Sequence, residues 1–127
     1  MSWILACDDH SHITRILQLT LSKADWEVTT AANGEAGWEL LRDREPPALI
    51  ISDLQMPHLD GLGLCRRIHA DPTLRHIPLI LLTARGFELP AERLKQEFGV
   101  SAVLVKPFSP RQILALVNEM AGQLLVG

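Results

Sequence analysis

The sequence predicts an α/β fold in which five strand–helix units form a doubly wound (βα)5 domain around a five-stranded parallel sheet. Apolar runs of strand length alternate with segments of helical periodicity five times along the chain. Right-handed crossovers between successive strands then leave few arrangements other than a parallel sheet with helices on both faces. The 127 residues contain no internal repeat and no Gly/Ser-rich linker, so residues 1–127 are expected to form one domain.

The first two strand–helix units are indicated by a change of apolar spacing. Residues 4–7 form a short apolar run, after which apolar residues recur at helical spacing over about 11–24. Residues 26–31 alternate in polarity and are rich in β-branched side chains, which is typical of a strand. A second helix is predicted over about 35–43, and the prolines at 46–47 end it.

The third unit contains the most apolar strand. Residues 48–52 form a continuous apolar run, as expected of a central strand that is covered on both faces. Asp60 can cap the helix that is predicted over about 61–70. Residues 77–82 then supply the fourth strand.

The fourth and fifth helices have recognisable ends. Pro90 suits the first turn of a helix that is predicted to run to about residue 97, where Gly99 can close it. Residues 100–105 give the fifth strand, and the Ser-Pro pair at 109–110 opens the final helix.

Composition and charge exclude several classes of function. The net charge is −3 and the Lys and Arg residues are scattered, which argues against nucleic-acid binding by this domain. No apolar run approaches the roughly 20 residues that a membrane span needs. The N-terminus lacks the basic region of a signal peptide, so a cytoplasmic protein without membrane contact is expected.

The two cysteines and five histidines do not predict a metal site. Cys7 and Cys65 have no metal-ligand spacing and are expected to be buried thiols in a reducing compartment. The histidines have no thiolate or second histidine at a spacing typical of zinc, so they are interpreted as solvated or packed residues.

Polar side chains stand just past four of the five predicted strands. Asp8 and Asp9 follow the first strand, Asp53 follows the third, Thr83 follows the fourth and Lys106 follows the fifth. Ligands of open α/β sheets bind at the carboxyl ends of the strands, near the switch in strand order. Three carboxylates, one hydroxyl and one ammonium are therefore expected to converge at one edge of the sheet.

Three neighbouring carboxylates need a cation. Two carboxylates about 4 Å apart repel by roughly 4 kcal/mol at an effective dielectric constant near 20, so a divalent ion is the expected partner. Hard oxygen donors in small number suit Mg²⁺, which keeps several waters and shares its shell with phosphate. A carboxylate beside Mg²⁺ can attack phosphorus and form an acyl phosphate. The ion, the Lys106 ammonium and the Thr83 hydroxyl could neutralise and align the transferred group.

Four short segments together resemble the signature of response-regulator receiver domains, the phosphoaccepting modules of two-component signalling that include chemotaxis regulators. They are Asp8-Asp9, 52–61 (SDLQMPHLDG), 82–84 (LTA) and 106–108 (KPF). The likeness extends in order over nearly the whole chain, and the DxxMPxxDG pattern is highly specific. It implies a flavodoxin-like sheet and a regulatory phosphoprotein rather than an enzyme.

The resemblance implies a ligand set for Mg²⁺. Asp53 would be the phosphoacceptor, and Asp9 and Asp53 would bind the ion directly. Asp8 would hold the ion through water, and the main-chain carbonyl of Gln55 would complete the protein's share of the ligands.

The resemblance also implies roles around the phosphoryl group. Thr83 would donate a hydrogen bond to it, Ala84 would leave it room and Lys106 would pair with it. The group would come from a sensor histidine kinase, a phosphotransfer protein or a small phosphodonor. Its arrival would switch a partner-binding or dimerisation surface. Family members often have a cis peptide before the proline that corresponds to Pro107.

One position departs from the family pattern. An aromatic residue usually stands three positions before the lysine, where this chain has Val103, so transmission through a moving ring is expected to be absent or altered. Phe87 is either a local substitute for that ring or an apolar residue folded onto its loop.

The last helix is more apolar than one buried face requires. Leu116, Met120 and Leu124 are among its extra apolar residues. Either a second copy in a homodimer or an output domain beyond Gly127 is expected to cover them.

Three other classes of protein share parts of this pattern. An aspartyl phosphatase of the haloacid-dehalogenase type needs a second Asp two residues after its nucleophile, where this chain has Gln55. A flavodoxin-like FMN carrier needs a phosphate loop rich in hydroxyls and amides where Asp8 and Asp9 stand. A phosphorylation-independent docking module would not need the complete set of polar residues at the strand ends.

Overall fold

A computed structural model of the chain describes residues 2–87 and 89–126, with side chains described as far as Ala121. Over this part of the chain, five strands and five helices alternate. In order they are β1 (Trp3–Cys7), α1 (Ser11–Lys23), β2 (Glu27–Ala31), α2 (Gly34–Asp43), β3 (Leu49–Asp53), α3 (Gly61–Ala70), β4 (Leu79–Thr83), α4 (Ala91–Phe98), β5 (Ala102–Val105) and α5 (Pro110–Val126). None of these helices is long and apolar enough to cross a membrane.

The five strands form one parallel sheet in the order β2-β1-β3-β4-β5. The predicted doubly wound α/β fold is therefore confirmed. The chain leaves β1 first toward one edge of the sheet and then crosses back to β3. This reversal opens a crevice between the carboxyl ends of β1 and β3, where ligands of such sheets bind.

The core lies in two layers, one on each face of the sheet. Helices α2, α3 and α4 cover one face, which includes Leu5, Ile50 and Leu81. Helices α1 and α5 cover the other face, which includes Ile4 and Ile51. Alternate residues of each strand enter opposite layers because successive side chains of a strand point to opposite faces. The central strands β1, β3 and β4 are consequently buried along their whole length.

Two strands, β4 and β5, begin two residues later than their apolar runs predict. The run at 77–82 contains Pro78, which has no N–H to donate to a ladder, and β4 begins at Leu79. The run at 100–105 begins with Val100, whose N–H donates instead to the carbonyl of Leu94 at 3.0 Å. This bond belongs to the end of α4, where Gly99 adopts a left-handed conformation with φ of 70°.

The two cysteines are buried thiols, as predicted. Cys7 ends β1 and Cys65 lies in α3, and both belong to the same layer of the core. Burial raises the pKa of each thiol to about 12. The neighbouring thiol adds to this effect at Cys7, because two thiolates would repel.

The start of α3 abuts the end of β3. Asp60 caps the helix as predicted, since its carboxylate accepts a hydrogen bond of 2.7 Å from the N–H of Gly63. The N–H of Gly61 donates to the carbonyl of Leu54 at 2.8 Å. A Cβ atom at Gly61 would overlap the carbonyl oxygen of Asp53 and lie 2.8 Å from the Cα of Leu54. Only glycine therefore fits at this junction.

We expect Gly61→Ala to destabilise the fold by about 1–3 kcal/mol, because the new methyl group meets backbone that cannot move aside cheaply. Gly63→Ala is the matched control. Its Cβ would meet the end of the flexible Leu59 side chain, and alanine favours the helix over glycine by about 1 kcal/mol. Urea denaturation measures both free energies of unfolding. Equal stability of the two variants would contradict the close approach at Gly61.

Candidate functional site

The five residues predicted at the strand ends meet at the carboxyl edge of the sheet. Asp8 directly follows β1, and Lys106 directly follows β5. Asp53 and Thr83 were predicted just past their strands, but they are the last residues of β3 and β4. Both strands extend beyond their apolar runs because backbone hydrogen bonds between strands continue to these positions. The N–H of Lys106, for example, donates to the carbonyl of Thr83 at 2.7 Å.

Lys106 joins two of the carboxylates. Its Nζ lies 2.8 Å from Oδ2 of Asp8 and 3.1 Å from Oδ1 of Asp53. The three residues come from the ends of β1, β3 and β5, so the ammonium fixes the relative positions of strands that do not all pair directly. This arrangement holds the Asp53 carboxylate at the bottom of the crevice.

Both carboxylates that Lys106 contacts are buried. Asp8 is 1% exposed and Asp53 is 5% exposed. Burial raises the pKa of Asp53, and the negative charge of Asp8 raises it further, while the hydrogen bond from Lys106 opposes both effects. Burial by itself would lower the pKa of Lys106, but its bonds to Asp8 and Asp53 outweigh burial and the pKa is raised. The lysine therefore remains charged, yet one ammonium does not satisfy three neighbouring carboxylates.

The donor atoms present fit a divalent cation. Oxygen atoms of Asp8, Asp9 and Asp53 lie within 4.8 Å of one another, together with a ring nitrogen of His10. Carboxylate oxygens with room for water are the donor set that Mg²⁺ prefers. Gln55 lines the same cavity as Asp9 and Asp53.

His10 is the residue of this site that the sequence did not predict. Its Nδ1 lies 3.0 Å from Oδ1 of Asp8 and 3.2 Å from Oδ1 of Asp9. Its backbone N–H donates to the same Asp8 oxygen at 2.9 Å. The sequence feature that points to His10 is its place directly after two aspartates. A zinc-type spacing of thiolates and histidines does not include such carboxylate neighbours.

A cavity of about 530 Å³ opens above Asp53. Arg85 and Phe87 contribute to its wall, as do Asp9 and His10. Phe87 is half-buried against the core layer of α2, α3 and α4. Val103 is 40% exposed on β5 and does not line the cavity. The cavity is large enough for a phosphoryl group and the metal's water ligands.

A family model described as the response regulator receiver domain matches residues 4–118. This chain belongs to that family. The receiver domain is also 38% identical over 117 residues to transcriptional regulator ycf27 of Porphyra purpurea, a match that covers 92% of this chain and 46% of the relative. It is 31% identical to the alkaline phosphatase synthesis transcriptional regulatory protein PhoP of Bacillus subtilis, a match that covers 98% of this chain and 58% of the relative.

Solved structures agree with the receiver fold. A response regulator from Chloroflexus aurantiacus superposes with a TM-score of 0.85 at 30% identity, over 95% of this chain and 98% of the other. The receiver domain of sensor histidine kinase PA1611 from Pseudomonas aeruginosa superposes with a TM-score of 0.83 at 26% identity, over 95% and 98% of the two chains. That structure has a magnesium ion coordinated in its active-site cleft.

Membership of the receiver family establishes the general function. Receiver domains belong to two-component systems, bind Mg²⁺ at an acidic pocket and work with histidine kinases. Response regulators often carry output domains, and this chain spans about half the length of the curated relatives it matches. The family is regulatory.

Proposed function

We propose that this receiver domain accepts one phosphoryl group on Asp53 and uses the change to switch a surface that binds a partner or a second copy. The donor is a histidine kinase, a phosphotransfer protein or a small phosphodonor. The observation that carries the proposal is the Asp53 carboxylate at the bottom of an open cavity, 3.1 Å from the Lys106 ammonium. The domain acts as a regulator that does not turn over a separate substrate, and it works in the cytoplasm.

The transfer needs little from the protein beyond alignment and charge. An Oδ atom of Asp53 forms a bond to phosphorus, while the bond from phosphorus to the donor's nitrogen or oxygen breaks and the leaving group keeps its electron pair. Lys106 pairs with a phosphoryl oxygen, and the Thr83 hydroxyl donates to another. Asp9, Asp53 and the main-chain carbonyl of Gln55 would hold Mg²⁺ directly and Asp8 would hold it through water, and the bound ion would supply the charge that offsets the phosphoryl oxygens.

The test uses the protein with acetyl phosphate and Mg²⁺. Intact-mass spectrometry should show the gain of one phosphoryl group, and hydroxylamine should remove it because an acyl phosphate is labile to that nucleophile. Omission of Mg²⁺ with added chelator is the control, and it should leave the mass unchanged. A mass gain that survives hydroxylamine would place the phosphate on a hydroxyl and would overturn the proposal.

The lifetime of the phosphorylated state is expected to depend on Gln55 and Arg85. Both residues line the cavity above Asp53, and both side chains are exposed there. Long polar side chains in this place can obstruct or orient the water that attacks phosphorus. We therefore expect Gln55→Ala and Arg85→Ala to change the dephosphorylation rate severalfold while phosphorylation still occurs. Decay of the intact-mass signal measures this, and rates equal to that of the unmutated protein would show that neither side chain reaches the water.

Transmission is expected to run through residues 84–90 and α4 rather than through β5. Helix α4 has only two buried residues, Leu94 and Phe98, so it is held to the core over a small area. A phosphoryl oxygen that draws Thr83 inward would carry the following loop with it. Amide chemical shifts with and without beryllofluoride, a phosphoryl mimic, should change across this region. Shifts confined to the residues around Asp53 would contradict this route.

The surface that responds is proposed to include the apolar side of α5. Leu116 and Met120 are half-buried beside the layer that α1 and α5 form. Leu124, which the sequence placed on the same surface, lies outside the described side chains. A homodimer through this helix, or contact with an output domain beyond Gly127, therefore stays a proposal.

A further inference from the structure

We propose that His10 is an additional ligand of the cation in this pocket and makes the pocket prefer borderline transition-metal ions over Mg²⁺. The inference rests on the proposed function, because it concerns the same cation site. Nδ1 of His10 lies 3.0 Å from Asp8 and 3.2 Å from Asp9, and His10 is the one residue of the donor group that offers a ring nitrogen. It would add one nitrogen to a set of donors that otherwise consists of oxygen.

The donor atoms are spaced like neighbours in one coordination shell. In an octahedral ion with bonds of about 2.1 Å, adjacent donors lie about 3.0 Å apart and opposite donors about 4.2 Å apart. The two contacts of His10 Nδ1 agree with the adjacent spacing. All four donor atoms, including one from Asp53, lie within 4.8 Å of one another. An ion with bonds of about 2.1 Å can contact His10 and Asp9 at their present spacing, and it reaches Asp53 as well once the widest pair of donors, at most 4.8 Å apart, closes to about 4.2 Å.

The backbone of His10 is fixed by its position at the start of α1. Its N–H donates to Asp8 at 2.9 Å, and its carbonyl accepts from the N–H groups of Ile13 and Thr14 at 3.0 and 3.2 Å. Only the two side-chain torsions remain free, so little order has to be imposed when the ring binds an ion. The side chain is 54% exposed, which leaves Nε2 able to carry the ring proton toward water.

Ligand chemistry decides which ions gain from the imidazole. Carboxylate, carbonyl and water suit Mg²⁺, whereas imidazole suits Ni²⁺ and Zn²⁺, and affinity for nitrogen-containing sites rises along the series toward copper. A pocket made only of oxygen donors would offer these ions less advantage. In the alternative account, the ring donates a hydrogen bond that stabilises the carboxylates, and any cation that binds displaces it. On that account, removal of the ring would strengthen the binding of every cation.

Metal titration separates the two accounts. Isothermal titration of the full chain with Ni²⁺ and with Mg²⁺ would compare the unmutated protein with His10→Ala. We expect the variant to lose Ni²⁺ affinity by about tenfold or more, while Mg²⁺ affinity changes little. His12→Ala is the matched control, because His12 is exposed on α1 beside His10, with ring centroids 5.6 Å apart, and does not belong to the donor group. It should leave both affinities unchanged.

The titrations distinguish failure of the His10 ligand from failure of the Mg²⁺ site. Ni²⁺ affinity of His10→Ala that equals or exceeds that of the unmutated protein would overturn the role of His10 as a ligand. A protein that binds Ni²⁺ but not Mg²⁺ would overturn the Mg²⁺ site of the proposed function and leave His10 supported. Histidine ¹⁵N spectra with Zn²⁺ add a direct readout: we expect the Nδ1 resonance of His10 to shift and that of His12 to stay. A shift at neither ring would also overturn the inference.

Discussion

Asp53→Asn is expected to abolish phosphorylation of the receiver domain by acetyl phosphate. The substitution replaces one carboxylate oxygen with an amide nitrogen, so size and shape are kept, but an amide is not a nucleophile toward phosphorus at neutral pH. Lys106 retains its 2.8 Å bond to Asp8, which preserves the arrangement of the pocket around the changed residue. The mass of the intact protein should therefore stay at its unphosphorylated value after incubation with Mg²⁺ and the donor.

Asp43→Asn is the control for this substitution, because Asp43 is an exposed carboxylate at the end of α2 and lies outside the donor group. It should gain one phosphoryl group like the unmutated protein. Stoichiometric labelling of Asp53→Asn would place the acceptor at another side chain, and the assignment of Asp53 would be wrong.

Asp9→Ala is expected to remove Mg²⁺ binding, whereas Asp8→Ala should only weaken it. Asp9 is more exposed than Asp8, with 36% of its side chain accessible, and it has no bond to Lys106 within the described contacts. Its charge is thus free to bind an ion directly. The Asp8 carboxylate is already paired with Lys106 at 2.8 Å, which leaves it suited to contact through water.

Calorimetric titration with Mg²⁺ measures both variants, and acetyl phosphate labelling provides a second readout. The Asp9 variant should fail to label even at high Mg²⁺, because the charge that offsets the phosphoryl oxygens is not recruited. If Asp9→Ala binds Mg²⁺ as tightly as the unmutated protein does, the cation lies elsewhere and the donor set proposed above is incorrect.

The fold could be predicted from the sequence because its strongest signals are local. Buried parallel strands such as β3 are continuously apolar, and helix ends are marked by residues such as Asp60 and Gly99. Strand limits were less predictable because hydrogen bonds set them. Val100 looks like a strand residue, yet its N–H is used at the end of α4. Asp53 looks like a loop residue, yet it pairs in β3 beside Leu82 of β4.

The side chains that gather at the site could be predicted from the sequence, but the distances and contacts between them could not. Parallel strands bring their ends together, so the convergence of Asp8, Asp53 and Lys106 follows from topology. His10 was missed because its approach to the carboxylates depends on a turn between β1 and α1 that no periodicity signals. The place of Phe87 also needed the structure, which packs the ring against the core beside the cavity.

The two buried thiols provide a built-in chemical probe of local opening in the receiver domain. A pKa raised to about 12 keeps both thiols protonated at pH 7, and alkylating reagents react with the ionised form. Cys7 precedes Asp8, and Cys65 lies in the helix whose first residue abuts Asp53. Alkylation at either position therefore requires the core beneath Asp53 to open first. The labelling rate would measure how often that part of the core opens. Slower labelling with Mg²⁺ or beryllofluoride would show that occupation of the pocket stabilises the core layer below it against opening.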